Sequence, residues 1–392
     1  MGLFSSSKKE KTIAIFDIGS GSVGGAIVDI PLKSNAIPVI KKIVRTDIKS
    51  SKTSDLKTFI KDMTSALNET ANSLYNKKGG APEEIMCVLS SPWYLSAVRE
   101  IKINREKPFV FTARLADDLI QKELLGINKQ YEDKYGEVDS KPEMIEHYAM
   151  SVFLNGYFVD DPIGKKCKNL EIDMIISLAP KICLDSIRET LSRTFHDTRI
   201  NFSSFTLSTY LAVREKYISP LSYLLIDVGS EVTDVGVVSK GILKSTLSFP
   251  FGKKTFLNSI SKKLKMDLRD VEEIIGLHND KNLETSRSDK FEPVLKSVEN
   301  SWLESFNKCV NSLPHSLILP NTIFLTADKD IINKFADIFR NEKSSQTPAI
   351  DNKCDVITLD TPMLLDACKV NEGNADPFLI IESIAAKNKT IK

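Results

Sequence analysis

The sequence predicts an α/β protein made of two similar halves, the first of which carries a small inserted α+β subdomain. The runs IAIFDIGSGSVGGAIV (residues 13–28) and YLLIDVGSEVTDVGVV (residues 223–238) share one order: an apolar strand, an Asp-Gly turn and a second apolar strand. A pattern that returns in this way indicates one strand–turn–strand unit in each half. Between residues 90 and 170 the pattern changes to alternating strands and a helix with a charged end, which predicts the insertion.

The composition excludes several classes of function. The chain has 392 residues, 42% of them hydrophobic and 27% charged, which is typical of a globular protein of roughly two to three domains. Its 53 basic and 52 acidic residues give a formal charge of +1, so we expect no nucleic acid partner. No apolar run approaches the ~20 residues that span a bilayer, so we expect no transmembrane segment. The six cysteines form no C-x-x-C pair, which favours reduced thiols in a cytoplasmic protein.

The predicted elements follow the two halves in order. In the first half we expect a hairpin over residues 12–30, a strand over 37–48, a helix capped by Ser54 and a strand over 85–90. The later elements are expected from the same periodicities: a helix over 182–195, three strands over 223–249, lysine-rich helices over 253–313 and a strand–turn–helix over 322–341. The expected division of the chain is a polar leader (1–10), a first lobe in two parts (11–88 and 173–220), an inserted subdomain (89–172) and a second lobe (221–392).

Several large or charged side chains are expected to have structural roles. Trp93, Tyr94 and Trp302 are interpreted as core aromatics, with an exposed partner contact as the alternative for the first two. The pairs Lys253-Lys254 and Lys262-Lys263 are interpreted as parts of a solvated helix face, with contact to a membrane face or an acidic partner as the alternative.

The two Asp-Gly turns have the chemistry of phosphate-binding loops. Glycine lets backbone N–H groups approach a ligand closely, and a tight turn presents several of them to phosphate oxygens. A carboxylate at the end of a strand can orient a water bound to Mg²⁺, which usually keeps several waters. The candidate ligand residues are Asp17, Gly19, Ser20, Gly21 and Ser22 in the first turn and Asp227, Gly229, Ser230 and Asp234 in the second.

Asp17 and Asp227 are the candidate metal residues, acting through water. In the alternative interpretation, both are hairpin-end carboxylates that accept hydrogen bonds from local N–H groups. The repetition of the turn favours the ligand-binding interpretation, because two such hairpins can hold a polyphosphate from both sides of a cleft. This requires Asp17 and Asp227 to face each other across that cleft.

The two turns resemble the phosphate loops of the actin, Hsp70 and sugar-kinase superfamily, whose lobes are ribonuclease H-like. The run TIFLTADKDIINKFADIF, which includes Thr326, stands where that superfamily has a strand, a Thr-Gly-Gly turn and a helix near the adenosine. The resemblance implies an actin-like two-lobed fold, with ATP and Mg²⁺ as cofactors and Thr326 in the nucleotide site.

Within the superfamily, the chain resembles the FtsA and PilM proteins of bacterial cell division and type IV pilus assembly. The likeness covers roughly residues 10–340 and is most specific in EHYAMSVFLNGYFVDDPIGKKCKNLEIDMIISLAP, which contains the segment DPIG. It implies that the insertion is an SHS2-type subdomain. The final segment DPFLIIESIAAKNKTIK resembles the end of PilM-like chains, which packs back on the body, rather than an amphipathic membrane helix.

The chain departs from the superfamily pattern at two of its three motifs. Ser230 and Glu231 replace glycines of the second turn, and residues 327–329 read Ala-Asp-Lys where glycines make room for the nucleoside. A carboxylate ~4 Å from a phosphate charge opposes binding by about 4 kcal/mol at an effective dielectric constant near 20. Either Glu231 turns away or meets a metal and ATP still binds, or the protein is a pseudo-ATPase.

The resemblance implies a function as an actin-like scaffold of cell division or pilus assembly, with degraded ATP binding. We expect a protein partner at the inner membrane, membrane association through that partner, and self-association into filaments. The alternative is an active ATPase or a sugar-kinase-like enzyme. No catalytic residue of such an enzyme is identifiable in the sequence.

Overall fold

A computed structural model describes residues 9–33, 35–49, 55–75, 82–135, 141–279, 285–314, 316–341, 354–371 and 373–391. The strands in these ranges are β1 (Glu10–Ile18), β2 (Ser22–Pro31), β3 (Val39–Asp47), β4 (Glu84–Leu89), β5 (Leu95–Val110), β6 (Pro142–Leu154), β7 (Tyr157–Phe158), β8 (Lys166–Pro180), β9 (Arg199–Ser204), β10 (Tyr223–Val228), β11 (Thr233–Ser239), β12 (Ile242–Phe249), β13 (Thr322–Ala327), β14 (Asp355–Thr358) and β15 (Lys369–Val370). The helices are α1 (Leu56–Leu74), α2 (Ala113–Tyr135), α3 (Lys181–Phe195), α4 (Phe205–Lys216), α5 (Lys253–Leu264), α6 (Leu268–Asn279), α7 (Thr285–Val310), α8 (Ile332–Asn341), α9 (Thr361–Leu364) and α10 (Pro377–Ile391).

Two sheets repeat one topology. The first has the strand order β15-β3-β2-β1-β4-β9, and the second has the order β12-β11-β10-β13-β14. In each, the first strand of the half pairs antiparallel with the second and parallel with the fourth. The strand order of the second sheet therefore matches β3-β2-β1-β4-β9 strand for strand, which is the duplication that the two Asp-Gly runs predict.

Helices cover both sheets because the strands are apolar on both faces. Strand β1 is buried from Ile13 to Ile18, and helices α1 and α3 pack on one of its faces. Helix α1 presents buried residues at spacings of three and four, as expected for an amphipathic helix. Its cap is Asp55, whose carboxylate accepts from Thr58 N at 2.9 Å; the predicted cap Ser54 lies outside the described residues.

Strand β9 and helix α4 are elements that the sequence pattern does not predict. All residues of α4 from Phe205 to Val213 are buried, so the helix has no polar stripe. Without that stripe, the 3.6-residue period that identifies a surface helix is absent. The expected core aromatics Trp93, Tyr94 and Trp302 are buried.

The insertion forms a separate antiparallel sheet of order β5-β8-β6-β7. Helix α2 packs on this sheet through residues that include Ile127 and Tyr131. The turn between β6 and β7 is Asn155-Gly156, with both residues at positive φ (53° and 84°), as an Asn-Gly hairpin turn requires. The boundary expected at residue 172 falls inside β8, which continues to Pro180 and leads directly into α3.

The end of the chain returns to the first sheet. Strand β15 pairs with β3, and helix α10 packs against α4, β1 and β2. The assignment of residues 221–392 to the second lobe therefore needs a correction, because the apolar residues of α10, such as Ile381 and Ile384, fill the face of the first sheet opposite α1. Most of the expected loop 341–355 lies outside the described residues, as do residues 1–8 of the leader. None of the helices in the described ranges combines the length and apolarity that crossing a bilayer requires.

Candidate functional site

The two Asp-Gly turns meet in one cleft of about 900 Å³ between the two sheets. Asp17 lies one residue before the end of β1, and Asp227 lies one residue before the end of β10. Because the two sheets share one topology, equivalent strand ends point into the same crevice. Of the candidate ligand residues, those that line the cleft are Asp17, Gly19, Ser20, Gly21, Ser22, Asp227, Gly229 and Ser230.

The Asp17 carboxylate is bound by an arginine that sequence reasoning missed. Arg45, on β3, donates from Nη2 to Asp17 Oδ2 at 2.7 Å and from Nη1 to Ser22 Oγ at 2.8 Å. Its Nε donates to Asp376 Oδ2 at 2.6 Å, just before α10. Burial lowers the pKa of Arg45, but the charges of Asp17 and Asp376 outweigh burial and raise it, so the guanidinium stays charged. A lone arginine in a β-strand carries no sequence signal for this position.

A second acidic group lies behind Asp17. Glu382, on α10, is completely buried, and neither of its oxygens meets an N–H or O–H donor; the same holds for Asp17 Oδ1. Burial is the main cause that raises the pKa of Glu382 well above its ordinary value, and the charge of the neighbouring Asp17 adds to the rise.

Asp227 is held by a residue of the third motif. Thr326 Oγ1 donates to Asp227 Oδ1 at 2.6 Å. Burial raises the pKa of Asp227 well above its ordinary value, the hydroxyl of Thr326 opposes this rise, and the nearby Asp234 adds to it. Thr326 was expected beside the nucleoside; instead it is buried and absent from the cleft lining, because it faces the neighbouring strand β10.

Asp234 also lies outside the cleft. It pairs with Asp227 in the β10–β11 ladder, and its Oδ1 accepts from Ser91 Oγ at 2.8 Å. Ser91 follows β4 of the first lobe, so this buried contact joins the two lobes. The sequence places Asp234 in the second turn, but its carboxylate faces the first lobe rather than the cleft.

The two turns have the same backbone geometry and touch each other. Gly19 N donates to Ser22 O at 3.1 Å, and Gly229 N donates to Val232 O at 3.0 Å. A Cβ placed on Gly21 would lie 2.9 Å from Ser230 Cβ, so the first and second turns are in van der Waals contact across the cleft floor. A residue with a side chain at position 21 would collide with Ser230 unless one of the two turns shifted.

The first turn of α5 covers the second Asp-Gly turn from the other side. Lys253 N and Lys254 N donate to the carbonyls of Gly229 and Ser230, each at 2.9 Å. Lys254 Nζ donates to Glu231 Oε1 at 3.0 Å, and Glu231 does not line the cleft. Of the orientations that the sequence leaves open for Glu231, the structure shows the one in which its side chain turns away from the cleft, toward Lys254.

Lysines 253 and 254 both line the cleft, which corrects their interpretation as part of a solvated face. Lys253 Nζ donates to Asp328 Oδ2 and Asp330 Oδ1, each at 2.9 Å. These two aspartates occupy the altered third motif, and they share the single positive charge of Lys253.

More acidic than basic side chains line the cleft. The volume is within the range of small-molecule sites. Six acidic and four basic side chains line it: Asp17, Asp47, Asp227, Glu272, Asp328 and Asp330 against Arg45, Lys253, Lys254 and Lys329. Within the described ranges, no group of three or more Asp, Glu, His and Cys side chains is placed to hold a metal ion. Asp17 and Asp227, the two candidate metal residues, are already bound by Arg45 and Thr326.

Comparison with known proteins places the fold. No protein-family model matches the chain, and no curated protein matches it. Among solved structures, the PilM–PilN type IV pilus biogenesis complex matches with a TM-score of 0.60 and 12% identity, over 97% of this chain and 98% of that chain. The ethanolamine utilization protein EutJ from Carboxydothermus hydrogenoformans matches with a TM-score of 0.43 and 10% identity, over 97% and 90%. The activator of 2-hydroxyisocaproyl-CoA dehydratase from Clostridium difficile, solved with bound ADPNP, gives 0.42 and 11%, over 97% and 95%.

The repeated topology and the paired Asp-Gly hairpins define an actin-like protein with two lobes, and the fold class predicted from the sequence is confirmed. The chain is similar over nearly its whole length to a solved structure of the PilM–PilN complex, and the predicted PilM-like resemblance is confirmed at the level of the fold. EutJ and the dehydratase activator are too distant in structure to bear on the function of this chain.

Proposed function

We propose that this protein is an actin-like scaffold that does not hydrolyse ATP and binds a protein partner at the bacterial inner membrane. Its place would be in pilus assembly, or in a related machine such as the cell-division ring. One observation carries the proposal: charged groups of the cleft are bound within the chain, Asp17 by Arg45 and Lys253 by Asp328 and Asp330, in an otherwise intact two-lobed fold. A scaffold needs the shape of the fold, whereas an ATPase needs those groups free for metal and phosphate.

The energetic argument concerns Arg45 and Asp17. Breaking a buried ion pair by removing one partner costs about 3–5 kcal/mol. A magnesium ion that displaced Arg45 from Asp17 would have to recover that amount and also separate the Gly21–Ser230 contact. Degraded nucleotide binding follows from both requirements.

The partner in this proposal binds a groove of about 420 Å³ beside the inserted subdomain. Its walls come from the β6–β7 hairpin, the segment between α4 and β10, and the β11–β12 turn, and its apolar lining includes Phe153, Phe158, Tyr217, Ile218, Leu221 and Ile242. Ile218 is 90% exposed, Leu221 62% and Phe158 53%. Apolar side chains exposed together in this way mark interaction sites rather than ordinary surface.

The charges of the groove select one kind of occupant. Its charged lining residues in the described chain are Arg214 and Lys240, and no acidic side chain lines it there. The occupant that we propose is a short segment of the partner with large apolar side chains and at least one carboxylate. The similar solved structure is a complex of PilM with a second protein, PilN, which supports a protein as the occupant.

The remaining parts of the proposal concern assembly. We propose that the insertion is an SHS2-type subdomain, that the protein reaches the membrane through its partner, and that copies associate into filaments. Sedimentation and negative-stain electron microscopy at increasing protein concentration test filament formation. A protein that stays monomeric at all concentrations contradicts that part alone.

A calorimetric titration with Mg-ATP, together with a phosphate-release assay, tests the scaffold against the ATPase. We expect no binding in the micromolar range and no phosphate release above the protein-free control. Micromolar affinity or steady hydrolysis would reject the proposal and favour the active ATPase.

The groove is tested with the captured partner. The protein is used as bait for a bacterial membrane extract, the bound proteins are identified by mass spectrometry, and their cytoplasmic peptides are synthesised and titrated. We expect Phe158→Glu and Leu221→Glu to weaken binding of the peptide at least tenfold. Leu125→Glu is the matched control, since Leu125 is 75% exposed but lies on α2 and does not line the groove. Equal binding by all three variants would exclude the groove.

A further inference from the structure

Arg45 connects parts of the chain that are far apart in sequence. Its guanidinium, on β3, bonds Asp17 at the end of β1, Ser22 at the start of β2 and Asp376 before α10. It also lies over the ring of Phe378, with Cζ 5.4 Å from the centroid. One side chain thus joins the first Asp-Gly hairpin to the C-terminal helix.

The backbone beside Arg45 is shaped to admit the guanidinium. A Cβ placed on Gly24 would lie 2.6 Å from Arg45 Nη2, closer than any stable contact. Gly24 pairs directly with Asp17 in the β1–β2 ladder, so this glycine opens the space through which Arg45 reaches the carboxylate. The side chain of Arg45 is 27% exposed, and those of Asp17 and Asp376 are 4% and 11% exposed.

The acidic groups around this position require a cation. Asp17 and Asp376 share Arg45, and Glu382 lies next to Asp17. Two ionised carboxylates at such a site repel each other strongly unless a positive charge lies between them. In this chain that charge is part of the protein itself.

We propose that Arg45 is a built-in counter-ion that takes the place of a bound cation, and that it fixes the cleft and the C-terminal helix in one arrangement without any ligand. This inference deepens the proposed scaffold function and rests on it, because a permanently filled cation position makes the arrangement independent of nucleotide. Arg45 acts here as a positioning residue.

Thermal unfolding of Arg45→Ala with and without MgCl₂ or MnCl₂ tests the proposal. We expect the variant to lose about 5–10 °C in Tm, because two buried carboxylates lose their partner. Millimolar Mg²⁺ or Mn²⁺ should restore part of that loss, because the ion enters the vacated position. The wild type should show no shift with either metal. A variant with unchanged Tm, or a wild type stabilised by the metals as much as the variant, would overturn the proposal.

Hydrogen exchange supplies a readout that loss of stability at an unrelated site does not reproduce. We expect faster amide exchange in α10 of Arg45→Ala, at least tenfold, while α2 stays unchanged. Arg188→Ala is the matched control, because Arg188 pairs with Glu143 outside the cleft and should leave exchange in α10 and the metal response unaffected. Equal exchange in α10 of wild type and Arg45→Ala would reject the coupling.

Two milder variants keep the test decisive if Arg45→Ala does not fold. Arg45→Lys keeps the positive charge but lacks the planar guanidinium that bonds several acceptors at once. Gly24→Ala adds a methyl group that would collide with the guanidinium of Arg45. Both should speed exchange in α10 to a smaller degree, and neither should do so if Arg45 is an incidental ion pair. Mg-ATP binding by the wild type would reject the scaffold function. In that case, amide exchange in α10 and the change of Tm with metal in the variants would still test whether Arg45 acts as a counter-ion.

Discussion

At the scale of single residues, the direction of a side chain decides its role more than its type. Glu231 replaces a glycine of the phosphate loop, and from the sequence it is the main electrostatic obstacle to nucleotide. In the structure Lys254 binds it at 3.0 Å, and it does not line the cleft. The obstacles that we propose instead are the Arg45–Asp17 pair and the contact between Gly21 and Ser230.

This difference predicts the behaviour of Glu231→Gly. Removing a carboxylate that faces away from the cleft should not create a nucleotide site, so we expect no binding of Mg-ATP in a calorimetric titration of the variant. A gain to micromolar affinity would show that Glu231 is the obstacle after all. Lys254→Ala serves as the control for the loss of the ion pair.

Glu146 shows how one buried carboxylate is stabilised by many donors. Its side chain is 6% exposed and accepts from Ser203 Oγ at 2.8 Å, Ser204 N at 2.9 Å and Lys389 Nζ at 2.8 Å. Burial raises the pKa of Glu146, but the Lys389 charge and these hydrogen bonds outweigh burial and hold the pKa below its ordinary value of 4.5. The contact joins the insertion, strand β9 and helix α10.

A depressed pKa fixes the sign of the pH dependence. The ionised form of Glu146 stabilises the fold above the unfolded pKa of about 4.5, and that stability is lost as the pH falls through the lower folded value. Glu146→Gln should reduce the free energy of unfolding at pH 7 by about 3 kcal/mol, since Lys389 loses its partner. Urea unfolding at pH 7 and pH 4 measures this, and the difference between wild type and variant should shrink at the lower pH. An equal difference at both values would contradict the assignment.

At the scale of elements, local signals determined the helices that face solvent. Helix α1 follows its apolar spacing, and the strand–turn–helix at 322–341 appears as β13 and α8. Helix α4 was missed because all of its residues from Phe205 to Val213 are buried, so no polar stripe reveals the helical period. The final apolar segment is helix α10, whose residues 379–387 are all buried and which packs against α4, β1 and β2.

The cap of α1 gives a prediction at this scale. Asp55 accepts from Thr58 N at 2.9 Å and from Thr58 Oγ1 at 2.7 Å. Asp55→Ala should lower the free energy of unfolding, because a first-turn N–H loses its acceptor. Asp55→Asn keeps an acceptor and should cause a smaller loss. Chemical denaturation of both variants checks the order, and equal losses would exclude the cap.

At the scale of the whole molecule, buried contacts hold the two lobes together at the cleft. Ser91, which follows β4, donates to Asp234 on β11, and Tyr94 OH lies 2.7 Å from Thr206 Oγ1 and 3.5 Å from Asp234 Oδ2. Asp234 is 8% exposed, so it meets the first lobe out of contact with water. A second contact, from Thr246 Oγ1 to Ser96 O at 3.0 Å, joins the second lobe to the insertion.

Removing the first of these contacts should open the cleft. In Asp234→Ala, the buried Ser91 hydroxyl loses its acceptor, which costs about 1–3 kcal/mol and favours separation of the lobes. We expect a larger radius of gyration in small-angle X-ray scattering. Thr246→Val breaks the other contact and should leave the cleft closed. Identical scattering curves for wild type and Asp234→Ala would show that the Ser91–Asp234 hydrogen bond is not needed to keep the cleft closed.

The sequence by itself determined the duplicated halves, the insertion and the turns that approach each other in the cleft. These features depend on local patterns: the spacing of apolar residues indicates strands and helices, and glycine at fixed positions allows tight turns. Only the tertiary structure decided which polar side chains meet: Arg45 with Asp17, Lys254 with Glu231, Thr326 with Asp227 and Asp234 with Ser91. Such pairs join residues far apart in the chain, and their energies depend on burial and distance, which no local pattern records.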